Sequence, residues 1–199
     1  ERWNAIRFFA LGDTDDNLRM SQVRALLAGQ DWFDLRQYRL NPPLGADIHW
    51  SRLVDLPLAG LILLLKPLVG GADAERAAVA IAPLIPLLGL LFGLVLSVRR
   101  LIDPRAYPLA FIALFYAGST TGMFMPLRID HHGWQLALLS FVIAGIADPK
   151  RARGGATVGI ASAMSLWIGL ELTVPARPYC ERLKDDGIAR TSRPFVASK

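Results

Sequence analysis

The chain has 199 residues, of which 53% are hydrophobic, with a mean hydropathy of +0.35. Its charged residues, 20% of the total, gather in 1–55 and 175–199 and leave residues 77–98 with none. That unevenness, with a net charge of +5, speaks against a soluble domain and for a polytopic membrane protein with polar loops.

The opening ERWNAIRFFALG, residues 1–12, reads as the tail of a membrane helix. GDTDDNLR, residues 12–19, follows with three carboxylates in four positions. Its spacing predicts a helix start, with Asp13 or Thr14 as N-cap and Asp15 and Asp16 at the positive end of the macrodipole. The helix runs through NLRMSQVRALLA to Gly29, a normal C′ residue. An acidic helix start can also offer carboxylate oxygens to a cation. Arg19 reads as a residue of a solvated helix face, or as a phosphate contact.

IHWSRLVDL, residues 48–56, places a histidine and an interfacial tryptophan in a charged loop. Leu53 to Val69 holds only about ten unbroken apolar residues, a length that suits an interfacial helix rather than a span. Spans are predicted over 77–98, with Pro83 and Pro86 toward its start, over 106–127, over the short stretch 133–147, and over 155–174.

The connections 99–105 and 148–155 are basic, which places both in the cytoplasm. Asp130, His131 and His132 then face outside, as do Glu171 and the start of 77–98. With 53–69 at the surface, both acidic clusters share the outer face. Seven arginines in residues 1–55 run against this orientation, in a loop long enough to weaken the rule. The expected fold is an all-α transmembrane bundle of about four spans. Residues 1–174 form it, with interfacial helices in an outer loop, 13–76. Residues 175–199 form a polar tail, read as solvated, truncated or foreign, and Cys180, the single cysteine, excludes an internal disulfide. Basic patches with interleaved aromatics are absent, so nucleic acid is not an expected partner.

RIDHHGW, residues 128–134, carries two of the three histidines. Asp130 could cap the following helix, and adjacent histidines on a helix point in different directions. Against that stands the prediction of two acidic clusters on one face, which fits a divalent cation, Mg²⁺ or Mn²⁺. Patterns for structural zinc, a serine nucleophile elbow or a phosphate-binding loop are missing. Glu171, in SLWIGLE, marks either the membrane exit or a functional carboxylate, since a charge there needs water or a partner.

The order of these motifs resembles the membrane domain of GT-C glycosyltransferases, most of all the catalytic subunit of oligosaccharyltransferases and its bacterial relatives. Their first outer loop opens with an Asp-Pro-Tyr-Tyr-His-Leu-Arg type motif, matched by Asp13 to Arg19. Their leucine-histidine-tryptophan stretch is matched by Ile48, His49 and Trp50, with Leu53 and Asp55 after it. Their Asp-His-His is matched by Asp130, His131 and His132. The resemblance covers residues 5–174. It implies Asp13 and Asp130 as catalytic metal ligands, with His132 a further ligand, and Arg19, His49 and Trp50 at the substrate. Glu171 is carried over as a catalytic carboxylate, although the family's later glutamate sits on a more distant loop. The resemblance also implies a lipid-linked sugar donor, a polyprenyl phosphate held among membrane lipids, and further membrane subunits as possible partners. The site would lie on the periplasmic face of a bacterial inner membrane. The acceptor stays open. Asp15 and Asp16 replace aromatic positions and the family's Trp-Trp-Asp acceptor-reading motif is absent. The family also has more spans than this chain, so the chain reads as an N-terminal fragment. Two readings from other classes stay open: a transporter or channel fragment using Asp130, His131 and His132 as an ion relay, and an inactive structural membrane subunit.

Overall fold

The computed structural model describes residues 2–169, which leaves Glu171, Cys180 and the 175–199 tail outside the described residues. The fold is all-α, with 68% helix and 2% strand. Helix α1 covers Arg2–Arg7 and α2 covers Thr14–Leu27. Asp13 is the N-cap of α2: its side chain accepts the Asp15 N–H at 3.1 Å. The helix ends as its sequence dictates, with Gly29 at φ +99°, a conformation that costs glycine nothing.

The connection from α2 onward holds one element its sequence did not announce. Strands β1 (Arg36–Gln37) and β2 (Ala46–Asp47) pair antiparallel, Arg36 opposite Asp47. A single 3-10 turn, Arg52–Val54, capped by Ser51, leads into α3, Asp55–Val69. Gly70, at φ +84°, turns the chain from α3 into α4, Gly71–Ile81, and the two helices pack together.

Helix α5, Leu84–Leu101, continues from α4 after a break at Ala82-Pro83. The combined helix Gly71–Leu101 is 31 residues long. Among the described residues it is the one helix long and apolar enough to cross a membrane. The expected span 106–127 is not one helix. It is α6, Pro108–Tyr116, and α7, Gly118–Gly122, separated at Ala117 with φ −83° and ψ 67°. The run breaks where it meets Gly118-Ser119-Thr120-Thr121-Gly122, a segment of low helix propensity that forms only a five-residue helix of its own. Helices α8, His132–Ile146, and α9, Arg151–Ile168, agree with the expected positions of the last two apolar runs.

Small residues let α5, α8 and α9 approach closely. A Cβ on Gly93 would overlap the Ser140 side chain, and one on Gly145 would lie 2.9 Å from the Gly154 carbonyl oxygen. A second core joins Met20 and Val23 of α2 to Leu58 and Ile62 of α3, Ala78 and Val79 of α4, and Leu127 and Ile129. The Leu127 N–H donates to the Val79 carbonyl at 3.0 Å, and Leu127 holds φ +77°. That non-glycine strain costs about 1–3 kcal/mol, offset by burial of Leu127 and Ile129. The segment ahead of Asp130 is thus fixed against α2 and α4.

Candidate metal centre

The two acidic motifs meet. Asp16, with no exposed surface, accepts the Ile129 N–H at 2.9 Å and the Asp130 N–H at 3.0 Å through one oxygen, Oδ1. Its other oxygen lies 3.2 Å from Arg128 Nη1. Burial pushes the Asp16 carboxyl up to about 6, against the Arg128 charge and the Ile129 bond. Arg128 also donates to Asp13 Oδ2 at 2.7 Å, and that bond holds the Asp13 carboxyl below its ordinary value. A single arginine therefore ties the helix start at 13–16 to the loop at 128–130.

Asp130 accepts its neighbour's backbone, the His131 N–H at 2.6 Å. Its oxygens also meet His131 Nδ1 at 2.5 Å and His132 Nδ1. Burial alone would raise the Asp130 carboxyl, but the bonds and charge of the two histidines outweigh it and hold it well below the usual carboxylate range. Ligand atoms of Asp130, His131 and His132 all lie within 4.8 Å of one another. Asp130 and His131 are buried, whereas the His132 side chain is 44% exposed and opens the group to solvent.

Two expectations are corrected here. The histidines do not diverge: their rings stack with centroids 4.5 Å apart. His131 precedes the first residue of α8 with a near-helical backbone, φ −76° and ψ −17°, and both rings nonetheless turn to the Asp130 carboxylate. Nor does Asp130 cap α8 from the N-cap position; it sits one residue earlier.

Behind the group lies a buried ionic core. Arg19 donates to Asp55 Oδ1 at 2.8 Å, both side chains being fully buried. The Arg19 guanidinium also stacks over Trp50 at 5.1 Å and approaches His131 Nδ1 at 3.5 Å. Trp50 in turn lies 5.1 Å from the His131 ring. Arg19 is thus not on a solvated face, as its sequence suggested, but supports the histidines from below. The reason is the stripe Asp16, Arg19, Met20, Val23, which all face inward at i, i+3, i+4 and i+7. That stripe was the available signal for burial of Asp16, which the sequence reading assigned to the helix dipole or to a cation. Arg128 carried no comparable signal.

The remaining predicted residues divide. Asp13 is near the centre but outside the ligand group, bound to Arg128. His49 is exposed, one ring removed, its centroid 5.2 Å from that of Trp50. Glu171 lies beyond the described residues. Compared with protein-family models, curated proteins and solved structures, the chain matches none.

One carboxylate and two imidazoles make a mixed oxygen and nitrogen donor set. Such a set fits a divalent ion of intermediate softness, because imidazole suits transition metals and Mg²⁺ prefers all-oxygen shells. The ionised Asp130 supplies negative charge without first losing a proton.

Proposed function

We propose that the chain is a membrane glycosyltransferase of the GT-C type, spanning the membrane several times. It moves a sugar from a polyprenyl-phosphate-linked donor to an acceptor at the outer, periplasmic face of a bacterial inner membrane. The observation that carries this reading is the junction of the two motifs: Asp16 grips the backbone of Ile129 and Asp130 across more than a hundred residues. A chain that spends a buried carboxylate on orienting an Asp-His-His loop is using that loop for chemistry.

Asp130, His131 and His132 would hold Mn²⁺ in preference to Mg²⁺, on the grounds of their nitrogen donors. When bound, the ion neutralises charge that develops on the leaving lipid phosphate. Asp13, together with Arg128, orients groups at the rim of the site. The acceptor nucleophile attacks the anomeric carbon, and the bond to the lipid phosphate oxygen breaks.

The test is sugar transfer from a polyprenyl-phosphate-linked sugar by the full chain in lipid vesicles, supplemented with Mn²⁺. Asp130→Asn is expected to abolish transfer while the protein still inserts and folds. Equal transfer by the variant would refute the assignment. The burial of the Asp130–His131 pair is also what an ion relay requires. In that case the same vesicles would show proton flux that depends on Asp130 and no sugar transfer.

A further inference from the structure

The positive charge of the described residues gathers at the end of the bundle away from the candidate metal centre. Residues 99–105 and 148–153 hold six basic side chains, Arg99, Arg100, Arg105, Lys150, Arg151 and Arg153, against two acidic ones, Asp103 and Asp148. The rest of residues 2–169 holds ten basic and ten acidic side chains and is neutral. The whole surplus of four charges among the described residues thus lies in two short connections. These form one surface. Arg100 Nη1 donates to the Ala144 carbonyl at 2.6 Å and Nη2 meets Asp148 at 2.8 Å, which ties the end of α5 to the connection between α8 and α9.

Nothing within that surface answers the surplus. The buried Asp148 carboxylate pairs with Arg100 and Arg153, which leaves that group with one positive charge. Asp103, whose carboxylate accepts the Arg105 N–H at 2.7 Å, offsets it. Arg99, Arg105, Lys150 and Arg151 remain: all four are exposed, and none of their side chains makes an ion pair or hydrogen bond among the described residues. Helix ends do not change the count. Helices α5 and α8 bring their negative C-termini here and α6 and α9 their positive N-termini, so the dipoles cancel. Four like charges on one face repel one another and draw anions to it.

The neighbours of the cations say which anion. Arg99 and Arg100 close the helix Gly71–Leu101, the one described helix long and apolar enough to cross a membrane. Beside them Leu101 is 63% exposed, Ile102 66% and Tyr107 50%. A soluble anion leaves this apolar fringe in water. An anionic phospholipid brings a phosphate to the arginines and hydrocarbon to the leucine and isoleucine. A zwitterionic headgroup carries its own ammonium and leaves the surplus unanswered. We infer that this end of the bundle binds the headgroups of anionic phospholipids, phosphodiesters with one net negative charge such as phosphatidylglycerol. The inference rests on the membrane part of the reading above and not on sugar transfer.

The experiment places the full chain in phosphatidylcholine bilayers with a trace of spin-labelled phosphatidylglycerol or phosphatidylcholine. Electron paramagnetic resonance reads the share of each label held at the protein surface. The label is present in both leaflets, so the orientation of the inserted chain does not matter. The parent chain is expected to hold phosphatidylglycerol over phosphatidylcholine by at least about threefold. The combined variant Arg99→Gln, Arg105→Gln, Lys150→Gln and Arg151→Gln should bring that ratio close to one. A control removes as many exposed cations from the neutral remainder, Arg2→Gln, Arg7→Gln, Arg39→Gln and Lys66→Gln, and should keep the preference. No preference in the parent, a preference that survives the first variant, or equal loss in the control would overturn the inference. So would sodium phosphate that abolishes the preference where sodium chloride of equal ionic strength leaves it, because the surface would then take phosphate itself. A chain that holds neither label does not sit in a bilayer, and the membrane reading would fall together with this inference. If both labels are held equally, this inference falls alone.

Discussion

Helix α8 carries an ionic cluster beyond each end, and the two are built differently. Beyond its C-terminus, Asp148 accepts from Arg153 Nε at 2.6 Å and Nη2 at 2.9 Å, from the Lys150 N–H at 2.9 Å, and pairs with Arg100 Nη2 at 2.8 Å. Both oxygens are satisfied, and two of the three partners lie within five residues. Ahead of its N-terminus, Asp16, Arg19, Asp55 and Asp130 are joined across long stretches of chain. There Asp16 Oδ2, Arg19 Nε, Asp55 Oδ2, Arg52 Nε and both side-chain atoms of Gln22 lack hydrogen-bond partners. Among the described residues, every buried side-chain polar atom without a partner belongs to the region ahead of the α8 N-terminus. A satisfied cluster fixes a helix end; an under-satisfied buried one is where a protein keeps polar groups for something besides stability.

The sharpest break of that contrast is Arg19→Met. It strips the buried Asp55 of its partner, so it is expected to destabilise the fold by about 3–5 kcal/mol in denaturant titration. Adding Asp55→Leu should recover much of that loss, because the pair is then replaced rather than broken. If Arg19→Met costs nothing, the buried Arg19–Asp55 pair does not hold this region together.

Asp16→Ala comes next. It orphans the Ile129 and Asp130 N–H groups, at about 1–3 kcal/mol for each donor left buried and unbonded. Asp16→Asn keeps the accepting oxygen and should retain most of the stability. An equal loss in both would mean that charge, not the bond to the backbone, does the holding.

The cluster at Asp148 should be visible through acid. Arg153, above all, lowers the Asp148 carboxyl from its ordinary 3.8 to about 2. The folded value lies below the unfolded one. The stability it contributes is therefore whole above pH 4 and drains away as pH falls toward 2. Asp148→Asn should flatten that part of a melting-temperature profile, and a profile identical to the parent's would contradict the assignment. Smallest is Arg24→Ala, which removes a 2.5 Å surface bridge to Glu75 and is expected to cost under about 1 kcal/mol.

How far the sequence could be read follows the same divide. Local chemistry was legible: Asp13 as a cap, Gly29 as a stop, and the positions of the last two apolar helices all depend on neighbours within a turn or two. Loop charge and the length of 53–69 gave the expectation that the two acidic motifs share one face; their direct contact through Asp16 and Arg128 was not read from it. What escaped was the partner of each charge. Arg19 and Asp16 look solvated in isolation, and only packing against residues 51–55 and 128–131 buries them. The break at Ala117 escaped because hydropathy over 106–127 hides the polar GSTTG segment. The stacked histidines escaped because their side chains turn to a shared partner, Asp130, which backbone spacing does not reveal.

The central claim is that Asp130, His131 and His132 hold a divalent ion. Mn²⁺ titrated into the full chain in nanodiscs, followed by electron paramagnetic resonance, tests it most directly. The account predicts that the parent chain depletes free Mn²⁺ signal one for one and that Asp130→Asn leaves it undiminished. Absence of depletion in the parent, or equal depletion in both, would contradict it.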